Sequence, residues 1–340
     1  MKKNIVALAV ASAIAAPVAM ADAPTVYGQV NQALEQRSAD NFAGDKVEAS
    51  SGTYVDNRAS RLGVKGSSDL GNGMKAVYKV EFSLGMNGGG VGDRNQYVGL
   101  AGGFGTVLMG RHDTPTKMIQ AKDLFNDARL SDNRRIGGEL GAFGRSMENR
   151  VNNVLAYVSP SFGGVKLIAA TSPSETSVDG DESSISDLYS VAVAYGSKKE
   201  GLYLAAGMDS ANENTTGVAD TEAQHTRVVA QYATGGLIAN AMYQDFGGDA
   251  IEDTVREGSN IMANVGYKFG KIMPKVKVSM VDRVNDFEDS TNYAVGVNYS
   301  MGKKTTAYAE FAKTEHIGGN AADGSDAEES AFSVGLLHKF

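Results

Sequence analysis

The chain has 340 residues, a formal net charge of −8 and no cysteine. The absence of cysteine excludes disulfides and thiol chemistry, and the acidic balance argues against a general nucleic-acid-binding protein. Glycine is frequent, at 41 residues, but lacks the third-position spacing of collagen, and the short alternating apolar runs argue against disorder.

Residues 1–21, MKKNIVALAVASAIAAPVAMA, combine two lysines, an uncharged apolar stretch and the small-residue pattern Ala19-Met20-Ala21. This order is typical of a secretory signal peptide cleaved after Ala21. A transmembrane helix is disfavoured because the apolar stretch is short and no stop-transfer pattern follows. We therefore expect an exported protein whose mature domain is 22–340. The rest of the chain has no run of about 18 apolar residues, so its sequence predicts no membrane-spanning helix.

Alternation with period two dominates the mature chain and predicts strands. In SDLYSVAVAYG and TNYAVGVNYS, tyrosines stand at both ends of a row of valines, at positions 189 and 195 and at 293 and 299. Aromatic rings at the ends of an apolar row fit a membrane barrel, where rings lie at the two interfaces and apolar side chains face lipid. The opposite, more polar face would line a wet interior.

The connections between these strands alternate in length. Short, turn-like ones fall at 67–73, 101–105, 159–164, 196–201, 233–236, 269–275 and 300–304. Longer polar ones fall at 37–57, 84–93, 112–148, 172–186, 209–223, 245–257, 282–291 and 313–330. Fifteen connections join sixteen strands. We therefore predict an all-β fold, a transmembrane antiparallel β-barrel of 16 strands with both termini at the short-turn end and an aqueous channel.

The longest connection, 112–148, has a helix signal of its own. Thr114 suits a helix N-cap, Pro115 suits the first turn, and TKMIQAKDLF follows. An apolar side is formed by Met118, Ile119, Leu124 and Phe125. Two placements remain open: the segment packs inside the barrel and narrows the pore, or it forms an external lobe over the mouth.

Strand parity places basic side chains on the polar face, at Arg61, Lys65, Lys79 and Arg150. Arg94 shares a face with Gln96, although the same parity then turns Val98 and Leu100 towards the lumen. If these basic side chains face carboxylates on an inserted loop, they would select ions. The alternative interpretation is that they are ordinary solvated charges on a polar face.

The stretches SRLGVKGSSDLGNGMKAVYKVE, QYVGLAGGFGTVLMGR and NRVNNVLAYVSPSFGGVKL resemble the Gram-negative general porin family, above all its beta-proteobacterial and neisserial branch. The resemblance implies a homotrimer that passes small hydrophilic solutes and ions, with the third loop (112–148) folded inward as the constriction. It implies that Arg61, Arg94 and Arg150 line the narrowest part, and we expect Asp113, Asp123 and Asp127 to face them. Lys65, Lys79 and Arg111 complete the predicted pore-lining set.

The chain ends in AFSVGLLHKF, an alternating strand that stops on Phe340. The resemblance implies that Phe340 is an assembly signal, recognised by the barrel assembly machinery. A simpler interpretation is one more interface aromatic. Outer-membrane lipid and lipopolysaccharide are the other expected partners.

Three other classes of function compete with the interpretation as a general porin. An enzyme is disfavoured because the four histidines, His112, His225, His316 and His338, lack metal-ligand spacing and no nucleophile or nucleotide motif appears. We therefore predict no catalytic residue, cofactor or metal. A substrate- or anion-selective porin stays open, given the basic wall. A surface adhesion or structural protein would act through acidic loops such as 288–292 and 320–330, which are alternatively only solvated tips.

Overall fold

The computed structural model describes residues 23–40, 51–125, 127–133, 149–175, 182–216, 222–247, 257–283, 289–317 and 327–340. The predicted signal peptide, 1–21, lies outside these ranges, as does the second part of the predicted constriction loop, 134–148.

Within these ranges the chain forms seventeen strand segments and two helices of one turn each. The strands are β1 Thr25–Asp40, β2 Gly52–Asn57, β3 Arg61–Gly71, β4 Met74–Gly85, β5 Gly90–Gly102, β6 Gly105–Asp113, β7 Arg150–Val158, β8 Val165–Ser172, β9 Leu188–Gly196, β10 Gly201–Ala211, β11 Ala223–Thr234, β12 Leu237–Gly247, β13 Gly258–Tyr267, β14 Ile272–Arg283, β15 Asp289–Ser300, β16 Thr305–Ile317 and β17 Ala327–Lys339. The helices are α1 Pro115–Met118 and α2 Glu213–Thr216. No helix of the described ranges is long and apolar enough to cross a membrane.

The strands form one closed antiparallel barrel. Each strand pairs with its neighbours in the chain, and β1 pairs with β17 from Gln29↔Lys339 to Asp40↔Glu328. β2 and β3 are two parts of one barrel strand, because both pair with β1 on either side of a break at 58–60. Seventeen segments therefore make sixteen barrel strands in the part of the chain described here, which confirms the predicted architecture.

The two faces of each strand follow the alternation in the sequence. In β11, Arg227 and Gln231 are buried, whereas Val228 and Tyr232 on the other face are 49% and 48% exposed. The valine rows of β9 and β15 and their flanking tyrosines are likewise exposed on the outer face, as predicted. An apolar exterior around a polar interior is the arrangement that a lipid bilayer requires of a barrel.

The alternation of connection lengths is confirmed except at two places. The predicted long connection at 282–291 is wrong, because β14 extends to Arg283 and β15 begins at Asp289. All seven predicted short connections are turns. The predicted long connection at 84–93 is wrong, because β4 extends to Gly85 and β5 begins at Gly90. A tight turn suffices here since Gly88 (φ 92°) and Gly90 (φ 73°) adopt backbone conformations that other residues disfavour. The glycine-rich MNGGGVG was therefore misread as a loop.

Candidate pore constriction

The connection after β6, here the β6–β7 loop, starts as its sequence predicts. Thr114 is the N-cap, its hydroxyl accepts a hydrogen bond from the Lys117 amide at 3.4 Å, and Pro115 opens α1. The helix ends at Met118, so only the start of TKMIQAKDLF is helical. Beyond it the backbone bonds partly to itself, as in Ala128 N to Phe125 O and Asp132 N to Ala128 O, and partly to wall side chains.

The described part of the β6–β7 loop lies inside the barrel. Ile119, at 1% exposure, packs on a cluster of wall residues: Ile168, Ala192, Tyr203, Val229, Met242 and Met262. Leu124 and Phe125 are equally buried against inner-wall alanines: Ala294, Ala312 and Ala331. Of the two placements that the sequence left open, residues 114–125 and 127–133 take the inward one. Burial of these apolar side chains is the main force that holds the loop there.

Polar groups of the wall satisfy the backbone of the inserted loop. Three buried basic side chains donate to its carbonyl oxygens: Arg227 to Thr116 at 2.9 Å, Lys275 to Leu124 at 2.8 Å and Lys277 to Ser131 at 2.5 Å. Amide and hydroxyl groups add further bonds: Gln231 accepts from the Lys122 amide, and Tyr203, Asn240 and Asn292 donate to loop carbonyls. A buried irregular backbone needs such partners, because an unpaired carbonyl or amide away from water is costly.

A buried ion-pair network joins this wall to the break between β2 and β3. Arg58, at the break, donates to Glu310 at 2.6 Å and to Glu35 at 2.7 Å. Lys275 donates to the other oxygen of Glu310 at 2.5 Å. The same lysine therefore links strands β14 and β16 to the inserted loop. Every charge in the network has a partner, the condition under which ions are tolerated at such burial.

Two charged clusters lie on the wall at the first strands. In the first, the Glu81 carboxylate accepts from Arg94 Nε at 2.7 Å and from Tyr27 Oη at 2.7 Å, with Lys79 Nζ at 3.3 Å. Arg61 lies close enough to interact electrostatically with both Glu81 and Arg94. Three predicted pore-lining cations thus share one carboxylate.

The second cluster is centred on Asp113. Its carboxylate contacts Arg150 Nη2 at 2.9 Å and Lys117 Nζ at 3.1 Å. Asn95 donates to it at 2.9 Å and accepts from Arg150 Nε at 2.6 Å. Asp113 and Arg150, predicted to face one another, are therefore in direct contact at the point where the loop leaves and rejoins the wall.

A β-bulge explains how Arg94 reaches the interior. Between the pairs Phe82↔Asp93 and Val80↔Gln96, β4 has one residue, Glu81, and β5 has two. Arg94 and Asn95 therefore both contact side chains on the inner face, while the side chain of Gln96 lies on the outer face. Val98 and Leu100, at 55% and 47% exposure, lie on the outer face, which corrects the parity expected for them.

The remaining predicted site residues are distributed differently. Asp127 is exposed on the β6–β7 loop, with φ 61°, and interacts electrostatically with Arg61. Asp123 instead folds the loop on itself, accepting from the Phe125 amide at 2.9 Å, and lies 3.5 Å from Lys277.

Lys65 and Arg111 lie at the margins of this site. Lys65 pairs with Lys79 in the ladder, and its ammonium lies 5.1 Å from the centre of the Tyr27 ring. Arg111 pairs with the outward Gln96 and donates to Asn152, which places it on the outer strand face rather than in the lumen.

Comparisons with known proteins agree with this fold. Residues 7–318 match the family described as Gram-negative porin. The chain belongs to the Gram-negative porin family. The resemblance stated from the sequence is thereby confirmed, and the protein is an outer-membrane channel for passive diffusion of small hydrophilic solutes and ions.

Relatives of this porin cover its whole length. The major outer membrane protein P.IB of Neisseria meningitidis serogroup A is 27% identical over 350 residues, and that of Neisseria lactamica is 27% identical over 354, each covering 100% of both chains. Among solved structures, an anion-selective porin from Comamonas acidovorans superposes with a TM-score of 0.76 at 21% identity, covering 94% of this chain and 100% of the other. OmpF of Salmonella typhi superposes with a TM-score of 0.68 at 14% identity, covering 94% and 98%. These structural neighbours establish the fold.

Sequence reasoning missed the porin's buried wall cations. Arg58, Arg227, Lys275 and Lys277 are each at most 3% exposed. A signal for two of them was present: in PKVKVSMV, Lys275 and Lys277 alternate with outward valines and therefore share the inner face. What the strand pattern did not contain was the identity of their acceptors, which are backbone carbonyls of a distant loop.

Proposed function

We propose that the narrowest part of this porin's channel lies between the β6–β7 loop and the basic wall of β3–β7, and that it prefers anions. The observation that carries the proposal is the local balance of charge. Among the described residues at this site, the cations are Arg61, Lys65, Lys79, Arg94, Lys117 and Arg150, and the carboxylates are Glu81, Asp113 and Asp127. Positive charge exceeds negative charge, although the whole chain is acidic.

The charge close to the constriction decides ion selectivity more than the net charge of the chain does, because salt screens distant charges. At physiological ionic strength, fields decay over about 8 Å, so loop-tip carboxylates contribute little at the constriction. The name of the Comamonas acidovorans structure, an anion-selective porin, agrees with this assignment.

The test is single-channel current in a planar bilayer with a salt gradient. We expect a reversal potential of anionic sign in the natural chain. Replacing Arg61, Arg94 and Arg150 together by glutamine removes three of these positive charges, and the anion/cation permeability ratio should fall at least about threefold. An unchanged ratio would overturn the assignment. The Lys303→Gln variant, in the exposed β15–β16 turn, is the control for loss of charge elsewhere.

We propose in addition that the porin is a homotrimer. A bilayer-facing exterior does not require one, but a related fold, OmpT of Vibrio cholerae, is described in a trimer form. Current steps that occur in threes, together with cross-linked trimers in native membranes, are the expected result. Independent unit steps with a monomeric mass would contradict it.

Export, assembly and the lipid surroundings belong to the same proposal. Cleavage after Ala21 predicts that the mature protein begins at Asp22, which N-terminal sequencing measures. Phe340 remains the predicted signal to the barrel assembly machinery, and lipopolysaccharide the predicted neighbour of the outer face.

The channel is proposed to act without chemistry of its own. His225 and Asp209 approach to 3.8 Å, yet both side chains are completely buried behind the inserted loop, where no solute reaches them. His112 Nδ1 lies 2.8 Å from the Asp113 carbonyl oxygen and the ring packs on Tyr97, which leaves it a structural role.

A further inference from the structure

The inner wall at the short-turn end of the barrel carries many lysines that the constriction does not use. A cavity of about 310 Å³ lies there beneath the inserted loop, and Lys122, Lys199 and Lys268 line it together with one carboxylate, Glu200. Lys339 follows the inward-facing Leu337 on β17 and is near enough to act electrostatically on Lys122. Three ammonium groups from three separate elements therefore line one space.

Lys122 is held in position from both sides of its backbone. Its amide donates to Gln231 Oε1 at 2.9 Å, and its carbonyl accepts from Asn240 Nδ2 at 3.0 Å. The side chain itself is exposed and lines both this cavity and an adjoining hollow of about 530 Å³. The loop therefore presents this ammonium group towards the short-turn end of the channel, on the far side of Ile119 from Asp113.

The positive charges that line this cavity outnumber the one carboxylate, Glu200. Among the described residues, no salt bridge involves Lys122, Lys199 or Lys268. Partial desolvation, together with the charges of Lys339 and Lys268, holds the pKa of Lys122 below its ordinary value. Several like charges held close together attract a multivalent anion more strongly than a monovalent one, because its charges interact with several ammonium groups at once.

We propose that this lysine-lined cavity, here called the lysine vestibule, is a second anion site of the porin that binds small oxyanions of two or more charges. It rests on the proposed anion preference only for delivery of the ligand, since none of its lysines is among the charged groups assigned to the constriction. Phosphate and carboxylate groups both accept from lysine ammonium groups. An anion that has passed the arginines of the constriction would therefore reach a second binding site before it leaves the channel.

The test is calorimetric titration of detergent-solubilised, folded porin with inorganic pyrophosphate, and separately with citrate, in buffer without divalent cations. We expect saturable binding of at least one probe to the natural chain and at least about tenfold weaker binding to the Lys122→Gln/Lys268→Gln variant. The control is Lys75→Gln, which removes the same kind of charge from β4 outside the cavity and should change affinity less than about twofold.

A variant that should bind more tightly makes the test sharper. Glu200→Gln removes the only carboxylate among the described residues that line the 310 Å³ cavity, so pyrophosphate affinity should rise by about threefold or more. Equal affinity in the natural chain and the double-lysine variant, or no binding of either probe, would overturn the proposal. Retention of the heat-modifiable gel shift shows that each variant is folded.

The proposal of the lysine vestibule and the proposal of the anion-selective constriction can be overturned independently. The variant lacking Arg61, Arg94 and Arg150 should keep its pyrophosphate affinity within about twofold, while its permeability ratio changes. If pyrophosphate binding is lost in the arginine variant and kept in the lysine variant, the anion site is the constriction and the lysine vestibule is overturned. If the natural channel prefers cations but still binds pyrophosphate through Lys122 and Lys268, the proposed function fails and the site stands.

Discussion

Gly28 lies where the first and last strands close the barrel. Its amide and carbonyl pair with Phe340 at 3.3 and 3.1 Å. A Cβ placed on Gly28 would lie 2.4 Å from Phe340 Cζ and 2.5 Å from the Arg61 carbonyl oxygen. The terminal phenylalanine therefore occupies space that only glycine leaves free. This packing gives Phe340 a structural role beside its predicted role in assembly.

The Gly28→Ala variant should weaken this closure. Crowding of this kind costs about 1–3 kcal/mol, because either the ring or the β3 backbone must move. The expected result is a lower temperature for the heat-induced gel shift from folded to unfolded porin. Gly302→Ala is the matched control, since nothing lies within 4 Å of a Cβ there. Equal transition temperatures for the two variants would contradict the packing described.

Individual side chains of the wall donate hydrogen bonds to the β6–β7 loop. Lys277 is the one whose removal is the simplest to interpret. Its ammonium group contacts the Ser131 carbonyl at 2.5 Å and the Asn133 side chain, and lies 3.5 Å from Asp123. Lys277→Met keeps the apolar stem and removes these bonds, which leaves buried acceptors unpaired at about 1–3 kcal/mol. We expect noisier current with additional conductance levels. Recordings that match the natural chain would show that packing alone holds the loop.

Lys303→Met, in an exposed turn, is the control for this variant. It removes the same charge without touching the loop, so its current should be as steady as that of the natural chain.

Asp187, directly before β9, ties two external connections together. Burial raises its pKa, but backbone amides of Ser174 and Ser184 and side-chain amides of Asn212 and Asn214 donate to it and outweigh burial, so the pKa of Asp187 lies below its ordinary value. A lowered carboxyl pKa stabilises the folded state at neutral pH, and that stabilisation disappears as pH falls through the folded pKa.

Hydrogen exchange, corrected for intrinsic rates, measures this effect. Protection of the Ser174 and Ser184 amides should be complete above about pH 4 and decline below it as Asp187 takes up a proton. The Asp187→Asn variant should show reduced protection already at neutral pH. Asp245→Asn, an exposed carboxylate on β12, should behave like the natural chain. Protection that stays constant through the acid range would contradict the role given to Asp187.

The alternation of side chains was sufficient to predict the strands, their outward faces and the closed barrel, because burial on one face imposes period two. The alternation was insufficient to place Arg94, since a bulge sets two consecutive residues opposite the single Glu81. Beyond the bulge, the inward and outward positions of the strand are exchanged. The alternation also misjudged 84–93, where glycines serve a tight turn. Bulges and turns depend on backbone angles that the pattern of apolar residues does not contain.

The candidate site was predictable only in part for the same reason. Asp113 and Arg150 flank the loop in sequence, so their meeting follows from the two strands that carry them. Asp123 was expected to face the pore, but it bonds its own loop because the amide of Phe125 is two residues away. The contacts of Lys275 and Lys277 join segments about 150 residues apart, beyond the reach of any local pattern.

Charge is distributed unevenly along the barrel axis. Lysines concentrate in the short turns, as in GSKKEG, FGKIMPK and SMGKK, whereas the long connections carry acidic stretches such as DGDESS and EDSTN. A permeating ion therefore experiences a field that changes along its path. Because the fields are carried partly by exposed groups, ionic strength should control selectivity.

The anion preference should therefore decline as salt is raised. Between 0.1 M and 1 M salt the screening length falls from about 10 to about 3 Å, so only charges directly beside the ion continue to act. We expect the anion/cation permeability ratio to move towards unity over this range, measured at a constant concentration ratio across the bilayer. A ratio that does not change with salt would indicate that selectivity is set by pore width instead.

The inserted loop takes its hydrogen-bond donors from strands that are synthesised later. Its carbonyl oxygens are bonded by residues of β11, β14 and β15, between 111 and 162 residues further along the chain. The loop therefore has no complete set of partners until the second half of the barrel is in place. Insertion of the loop is therefore expected late in folding, once the second half of the barrel, which ends where Phe340 pairs with Gly28, is in place.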